Sequence, residues 1–530
     1  MKAIPFRSEW SLAAPRIRIE SVWVLLPVAV VLYHALVRPL QLLDFWWHLK
    51  AGEVIVTTGT IPRVDQFSFT AQGTIYILQN WLAEAIYYWL FGVGGLPAVI
   101  TFNAFLLVLA LLPILYLSHR AAGSIRIGVL GAYLAAISLI LYSNTRPQVF
   151  SFVCFSIFYW ILIEFENGRR NLLWVLPLLM AAWVNLHGAF PLGFVLILLL
   201  LVTHAARRLL TGASSTTLGW PQLGQLGLAF AASVGASFLN PEGYRLYGYV
   251  WDVLANPASR MFVTEWQPPR IDRLDGLLIC FGPFLLTLLV LMYSAQRPNL
   301  TEMALFLVFA SYAMTSSRNG IWFCLAASPV LARHLASFDR QKLLAPLAVR
   351  GVGRRLIQWW ENQQRVSVDP RYGVNTLILV LLALVTIAVS PWVYPRLLGT
   401  SLEQALYDPA TPVGAVDFLE SGHHQGHIFH PQMYGDYLMW RLGPEQKTFF
   451  DGRVHLFDKS TVEDYLFAFH DSNWEKRLEK YDIRYLLLRK VEADKKMLQS
   501  ARLSKRWQVV YEDDLSVLLE RAEGSGTGGL

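Results

Sequence analysis

Runs of apolar residues long enough to cross a bilayer dominate this chain, and they leave few folds open to it. A window of about 19 residues finds such runs near 21–39, 97–117, 127–143, 148–166, 172–187, 190–206, 222–239, 276–294, 301–316, 319–336 and 374–394. Hydrocarbon offers no partner to a peptide group, so each run must close its hydrogen bonds within itself, as a helix. The expected fold class is a polytopic α-helical membrane protein of about eleven spans.

Composition agrees. Of 530 residues, 54% are hydrophobic and 16% charged, against about 25% charged in soluble domains. The formal charge is +7, but the basic residues sit between apolar runs, and no basic–aromatic patch marks a nucleic-acid partner. Cys154, Cys280 and Cys324 fall inside apolar runs without disulfide or zinc spacing and read as core. The first run has no small-residue cleavage site after it and reads as a retained span.

Lys and Arg set the orientation. Lys2, Arg7, Arg16 and Arg18 precede the first run. Arg120 and Arg126, Arg169 and Arg170, Arg207 and Arg208, and Arg297 follow on the same side. The largest basic block is 333–371, whose stretch 340–365 reads as a basic surface helix on the cytoplasmic leaflet. The N-terminus is therefore expected in the cytoplasm of a plasma (inner) membrane. Loop 240–275 breaks the pattern with Arg245, Arg260, Arg270 and Arg273, charges that can hold an anionic ligand.

The division that follows is a membrane core at 1–394 and an extracytoplasmic domain at 395–530. The core includes a first external loop at 40–80 and an aromatic interfacial helix at 80–95 that carries Glu84. The tail alternates helices (TPVGAVDFLES, GDYLMWRL, SNWEKRLEKY, KKMLQSARL) with short strands (GHIFH, KTFFDGR, IRYLLLR, WQVVYED, LSVLLER), the pattern of a small α/β layer domain. The final GSGTGGL reads as a flexible end.

Under this topology the unusual polar residues collect on one face. Asp44 and His48 open the first external loop. Arg146 and Gln148 lie in SNTRPQ, Asn185 and His187 in WVNLHGAF, Glu265 and Trp266 in VTEWQPP, and Arg318 and Asn319 in SSRNG. A carboxylate such as Asp44 can take a proton from an attacking hydroxyl. Guanidiniums at Arg146 and Arg318, with Gln148 and Asn319 beside them, can hold a phosphate. His48 and His187 can donate to a phosphate or orient an acceptor. Trp46, Trp47, Glu265 and Trp266, with Asp451 and Arg453 of the tail, are candidates for sugar or acceptor binding. Asp436 is a further suggestive residue of the tail. Asp44 and Asp65 are the candidates for a divalent cation, although no spacing demands one. Blander readings stand beside these. Trp46 and Trp47 suit interface anchors, Arg318 a snorkelling side chain, Asp65 a turn cap, and DGR a turn or strand-end salt bridge.

The pattern DxWWHLxxGxxIxxxGxIPxxDxFSxT, from Asp44 to Thr70, resembles bacterial multi-spanning proteins that also share RPQ (Arg146 to Gln148), NLHG (Asn185 to Gly188) and FDGR (Phe450 to Arg453). An acidic residue just after the first span, then a helix and G-x-I-P, resembles the GT-C superfamily of polyprenyl-phosphate-sugar-dependent glycosyltransferases. This chain has Asp44-Phe45 where aminoarabinose-type enzymes have an acidic pair, and its tail lacks a WWDYG-type signature. The resemblance implies a membrane core with its active site on the outer face and a catalytic acid at Asp44.

The function expected is transfer of a sugar from a polyprenyl-phosphate donor to a hydroxyl acceptor at the outer face, inverting, with Asp44 as base. The partners implied are a polyprenyl-phosphate-linked sugar, membrane lipids, and a glycan, lipid or protein acceptor. No cofactor beyond a divalent metal is implied. Two rivals predict other arrangements. A transporter or flippase needs a polar path across the membrane. A non-catalytic assembly factor would leave the polar residues dispersed.

Overall fold

The structure is a computed structural model, and it describes residues 17–211, 217–255, 264–339, 371–422, 424–471 and 473–522. The basic surface helix read at 340–365 lies outside these residues, as do Lys2, Arg7, Arg16, Arg260 and GSGTGGL.

Each apolar run falls on a helix. The helices are α1 Ile19–Val37, α2 Phe45–Thr58, α3 Trp81–Ala122, α4 Ile125–Leu141, α5 Gln148–Glu166, α6 Val175–Leu186, α7 Pro191–Thr211 and α8 Trp220–Ala236. They continue with α9 Arg245–Ala255, α10 Leu274–Tyr293, α11 Leu300–Thr315, α12 Gly320–Ala336 and α13 Tyr372–Ala388. Among the described residues, five of these are long and apolar enough to cross a membrane: α1, α3, α5, α7 and α10. Of these five, α5 is the most enclosed, with nearly every residue from Gln148 to Phe165 buried. The predicted interfacial helix and the next span are one 42-residue helix, α3, kinked at Gly94 and Gly95. Gly95 has φ +63°, a conformation open to glycine at little cost, and it turns the aromatic first part away from the apolar second part.

Past α13 come the short helices α14 Tyr394–Leu398, α15 Leu402–Leu406 and α16 Val413–Ser421, then β1 His427–Phe429 and α17 Gln432–Leu442. The chain continues through α18 Lys459–Ala468, α19 Trp474–Leu478, β2 Ile483–Arg489, α20 Lys495–Leu503, β3 Trp507–Glu512 and β4 Ser516–Arg521. The sheet order is β1-β2-β4-β3, with β1 parallel to β2 and the other neighbours antiparallel.

Two sequence expectations need correction here. KTFFDGR is not a strand of this sheet, because its backbone bonds go elsewhere. Thr448 bridges Ser68 of the first loop, donating from its N–H to Phe67 O at 2.9 Å and accepting from Phe69 N–H at 3.1 Å. Helix α18 was not anticipated.

The first loop and the tail share their packing. Leu40 N–H donates to Leu406 O at 2.7 Å, and Asp408 N–H to Leu40 O at 3.0 Å. One apolar core runs from Val31 and Leu49 through Tyr434 and Tyr437 to Leu518. A second joins Ala51, Ile55, Tyr76 and Leu78 of the loop to Phe429, Phe449, Phe450 and Leu486.

Candidate functional site

Asp44 sits between α1 and α2 with φ +73°, a strained conformation for a residue with a Cβ and one that persists only where surroundings hold it. What holds it is Asp436 of α17. Its Oδ2 accepts from Asp44 N–H at 2.5 Å, and its Oδ1 accepts from Gly452 N–H at 2.7 Å. Asp436 is fully buried. Burial, then the charges of Asp451 and Asp44, push its carboxyl well above the usual range. Gly452 must be glycine for space. A Cβ there would stand 2.7 Å from Asp436 Oδ2 and 3.0 Å from Asp44 Oδ1.

The Asp44 carboxylate faces outward from this support. Oδ1 accepts from Trp47 Nε1 at 3.4 Å, and Oδ2 lies 3.2 Å from Arg146. Arg146 also reaches Glu265 at 3.4 Å and Gln41 at 3.0 Å, while its Nε is buried without a partner. Its backbone carbonyl accepts from Tyr87 at 3.0 Å, which fixes the hairpin tip. The carboxylates of Asp44 and Glu265 keep 30% and 33% of their side-chain exposure, so the group is reachable.

Arg318 lies against Trp266, the neighbour of Glu265 in sequence. Its guanidinium stacks over Trp266 at 4.7 Å and has no carboxylate partner among the described residues. Ser316 Oγ donates to Glu265 O at 2.7 Å, tying the two loops together. Asn319 is turned back to the end of the preceding helix α11, donating to Tyr312 O and Thr315 Oγ1. Gln148 is buried, with its amide nitrogen unpaired.

His187 follows the end of α6. Its Nδ1 lies 2.8 Å from Ser151 Oγ and 3.3 Å from Ala189 N–H. Because the Ala189 N–H donates to Nδ1, that nitrogen is an acceptor, so the Ser151 hydroxyl donates to it while accepting from Trp183 Nε1 at 2.7 Å, and Nε2 carries the ring proton. Burial first, then the charges of Arg318 and His48, hold His187 to about 3. His48 is also held well below its ordinary value, by burial and by Arg146. It hydrogen-bonds Glu84 at 2.7 Å. Asn185 is instead engaged in structure, accepting from Trp81 Nε1 at 2.8 Å and donating to Ala181 and Leu239 carbonyls.

Four expectations change here. Trp46 has no exposed surface and packs edge-on against Phe45, Tyr407 and Tyr437. It is a core residue and meets neither a sugar nor a membrane interface. Asp451 and Arg453 are buried as well. Arg453 makes a paired contact to Asp451 at 3.0 and 2.7 Å and reaches Asp65 at 2.6 Å. Asp65 spends its oxygens on Arg453, Ser68 and the Phe67 and Ser68 backbone. This triad fastens loop to tail and offers no acceptor or metal a free ligand.

The remaining carboxylates do not fit a divalent cation, since the Arg146 guanidinium stands between Asp44 and Glu265. Among the described residues no His, Cys, Asp or Glu group is arranged to hold a metal ion.

Sequence reasoning missed Gln41, Gly452 and Arg38. Arg38 was legible as the lone charge ending the first run, and it donates to the Ile140 and Leu141 carbonyls at the end of α4.

No family model matches the sequence, and no curated protein does. Solved structures match in shape. Apo ArnT from Cupriavidus metallidurans shares 14% identity at a TM-score of 0.50, covering 94% of this chain and 98% of that one. The same protein bound to undecaprenyl phosphate gives 13% and 0.47, over 95% and 99%. The archaeal oligosaccharyltransferase AglB from Archaeoglobus fulgidus, in complex with an inhibitory peptide and a dolichol-phosphate, gives 14% and 0.49, over 89% and 70%. The chain has the GT-C fold, polytopic and mainly helical with a small sheet after the bundle.

Proposed function

We propose that this chain is a membrane glycosyltransferase that moves a sugar from a polyprenyl-phosphate donor to a hydroxyl acceptor at the outer face of the membrane, with inversion. One observation carries the reading: a strained, externally braced aspartate in ion contact with an arginine from a distant hairpin, at the end of the first apolar helix. The fold is compatible with it.

In this mechanism Asp44 takes the proton of the acceptor hydroxyl. The freed oxygen pair attacks the anomeric carbon as the bond from that carbon to the phosphate oxygen breaks. Negative charge then grows on the departing lipid phosphate. Arg146 and Arg318 meet that charge, and preorganised cations lower the barrier because they stabilise what develops in the transition state. The unpaired Arg146 Nε and Gln148 amide nitrogen are donors that a phosphate oxygen would satisfy. His187, neutral with its proton on Nε2, can add a third. Trp47 and Trp266 remain as the candidate sugar contacts.

The grouping of Asp44, Arg146, Glu265 and Arg318 disfavours the assembly-factor reading, which needs no such convergence.

The test is purified protein incubated with a panel of polyprenyl-phosphate sugars, reading released polyprenyl phosphate. Asp44→Asn should lower turnover by about 10²–10⁴-fold, the scale of a lost general base, with unchanged expression and melting. Full turnover in that variant ends the base assignment.

A further inference from the structure

A recess lies at the opposite end of α5 from Arg146. Helix α5 begins beside Arg146 and ends at Glu166, a rise of roughly 28 Å at about 1.5 Å per residue. The recess is about 1030 Å³ and is lined where α3 and α5 end, α8 and α11 begin, and α12 nears its end. Five arginines border it, Arg120, Arg169, Arg170, Arg207 and Arg333, against two carboxylates, Glu166 and Glu302.

Both carboxylates are already engaged. Glu166 lies 2.9 Å from His204. Glu302 holds Arg333 at 2.7 Å and the Asn299 N–H at 2.8 Å. Arg169 is paired with Glu164 at 3.3 Å. Arg120 and Arg170 make no ion pair among the described residues and are exposed. The other flank is apolar, with Phe165, Leu305 and Val330. Snorkelling alone would send arginine heads outward to a flat headgroup layer. Here they surround a concave space drawn from several separate segments.

We propose that this recess binds a phosphate-bearing lipid headgroup on the face opposite Asp44, with Arg120 and Arg170 on the phosphate and the apolar flank beside the glycerol and upper chains. Guanidiniums suit phosphate because their fixed fork matches two of its oxygens. The mixed lining favours a lipid over a free anion. The proposal is independent of the transfer reading, because it uses none of the same residues.

The test uses the full chain in neutral detergent, titrated with mixed micelles of dioleoyl phosphatidylglycerol, with dioleoyl phosphatidylcholine micelles, and separately with sodium pyrophosphate. Thermal stabilisation is the readout. Phosphatidylglycerol should raise the melting temperature at concentrations where phosphatidylcholine does not. The Arg120→Gln, Arg170→Gln double variant should shift the titration midpoint by about tenfold or more, the scale of one lost charge-assisted contact. Should that variant fold poorly, Asn171→Asp places a negative charge at the exposed rim without changing shape and should weaken the same midpoint. Pyrophosphate stabilisation that both variants weaken, without a phosphatidylglycerol effect, keeps the phosphate site and assigns it a water-soluble ligand. No stabilisation by either probe, or equal stabilisation of wild type and variants, overturns the proposal.

Discussion

Replacing Gly452 by alanine should damage the Asp44 site from behind, with every residue proposed to meet substrate left unsubstituted. The added carbon would lie 2.7 and 3.1 Å from the two Asp436 oxygens and 3.0 Å from Asp44 Oδ1. These are closer than carbon and oxygen pack, so something must move. Asp436 cannot move freely, since each oxygen accepts a backbone N–H. Swinging it aside breaks at least one of those bonds, at about 1–3 kcal/mol for a buried acceptor. Moving Asp44 instead disturbs its contact with Arg146. Either displacement shifts the proposed base by up to about an ångström, and such misplacement commonly lowers turnover about 10²-fold.

Equilibrium unfolding of the purified protein in a denaturing-detergent titration would give the stability change, and polyprenyl phosphate release the activity. The steric origin has its own check. In an Asp436→Ala background two of the three crowding atoms are gone. Gly452→Ala should then cost under about 1 kcal/mol, leaving a coupling of about 1–2 kcal/mol between the sites. A Gly452→Ala protein as stable and active as wild type would refute the reasoning. So would an equal cost in both backgrounds, which would move the cause away from Asp436.

Two further predictions concern the buried charges. Arg453→Met strands the buried Asp65 and Asp451 carboxylates without a cation and should cost about 3–5 kcal/mol; it should speed proteolysis within 60–80 and 445–455, and an unchanged cleavage rate would argue against the triad as the fastener. The Asp436 carboxyl is raised in the folded protein, so above its unfolded value near ~3.9 the native state keeps a proton that the unfolded chain has lost, and stability falls as pH rises through that interval. His430 and His455, both held to about 4, act in the opposite sense: between about 4 and their unfolded value of ~6.5 stability rises with pH. Melting followed upward from about pH 4 should fall more, or rise less, with pH in wild type than in Asp436→Asn, the histidines contributing equally to both; parallel slopes would contradict the raised carboxyl.

The bundle was legible because each apolar run has to be a helix wherever it packs. The first loop was legible as a pattern but not as a division of labour. Its most regular residues, Trp46, Ile55, Asp65 and Ser68, face the tail and hold the loop to it. Asp44 and Gln41 meet Arg146, and Trp47 donates to Asp44. A single sequence shows where polar residues are unusual, but a docked interface between segments nearly 400 residues apart leaves the same mark as a ligand site. FDGR shows this plainly: a paired carboxylate and guanidinium read equally as acceptor recognition or as an internal clasp, and burial makes them the clasp. KTFFDGR failed as a strand for a related reason, since its partner is the loop and not the sheet.

The consequence is that the tail takes part in setting the proposed base. Asp44 adopts a backbone conformation that its own neighbours do not favour, and the acceptor that compensates its N–H comes from a residue 392 positions later. The loop cannot supply that acceptor, and the bundle arginines supply only the opposite pull. Asp44 is therefore held between Asp436 behind it and Arg146 in front, each from a different part of the chain. A carboxylate fixed from both sides loses little freedom when a substrate arrives, so less binding energy goes to ordering it. On this view the small sheet and its helices act as a mould for the loop, and Asp436 is a positioning residue in a region where sequence alone had placed only acceptor contacts.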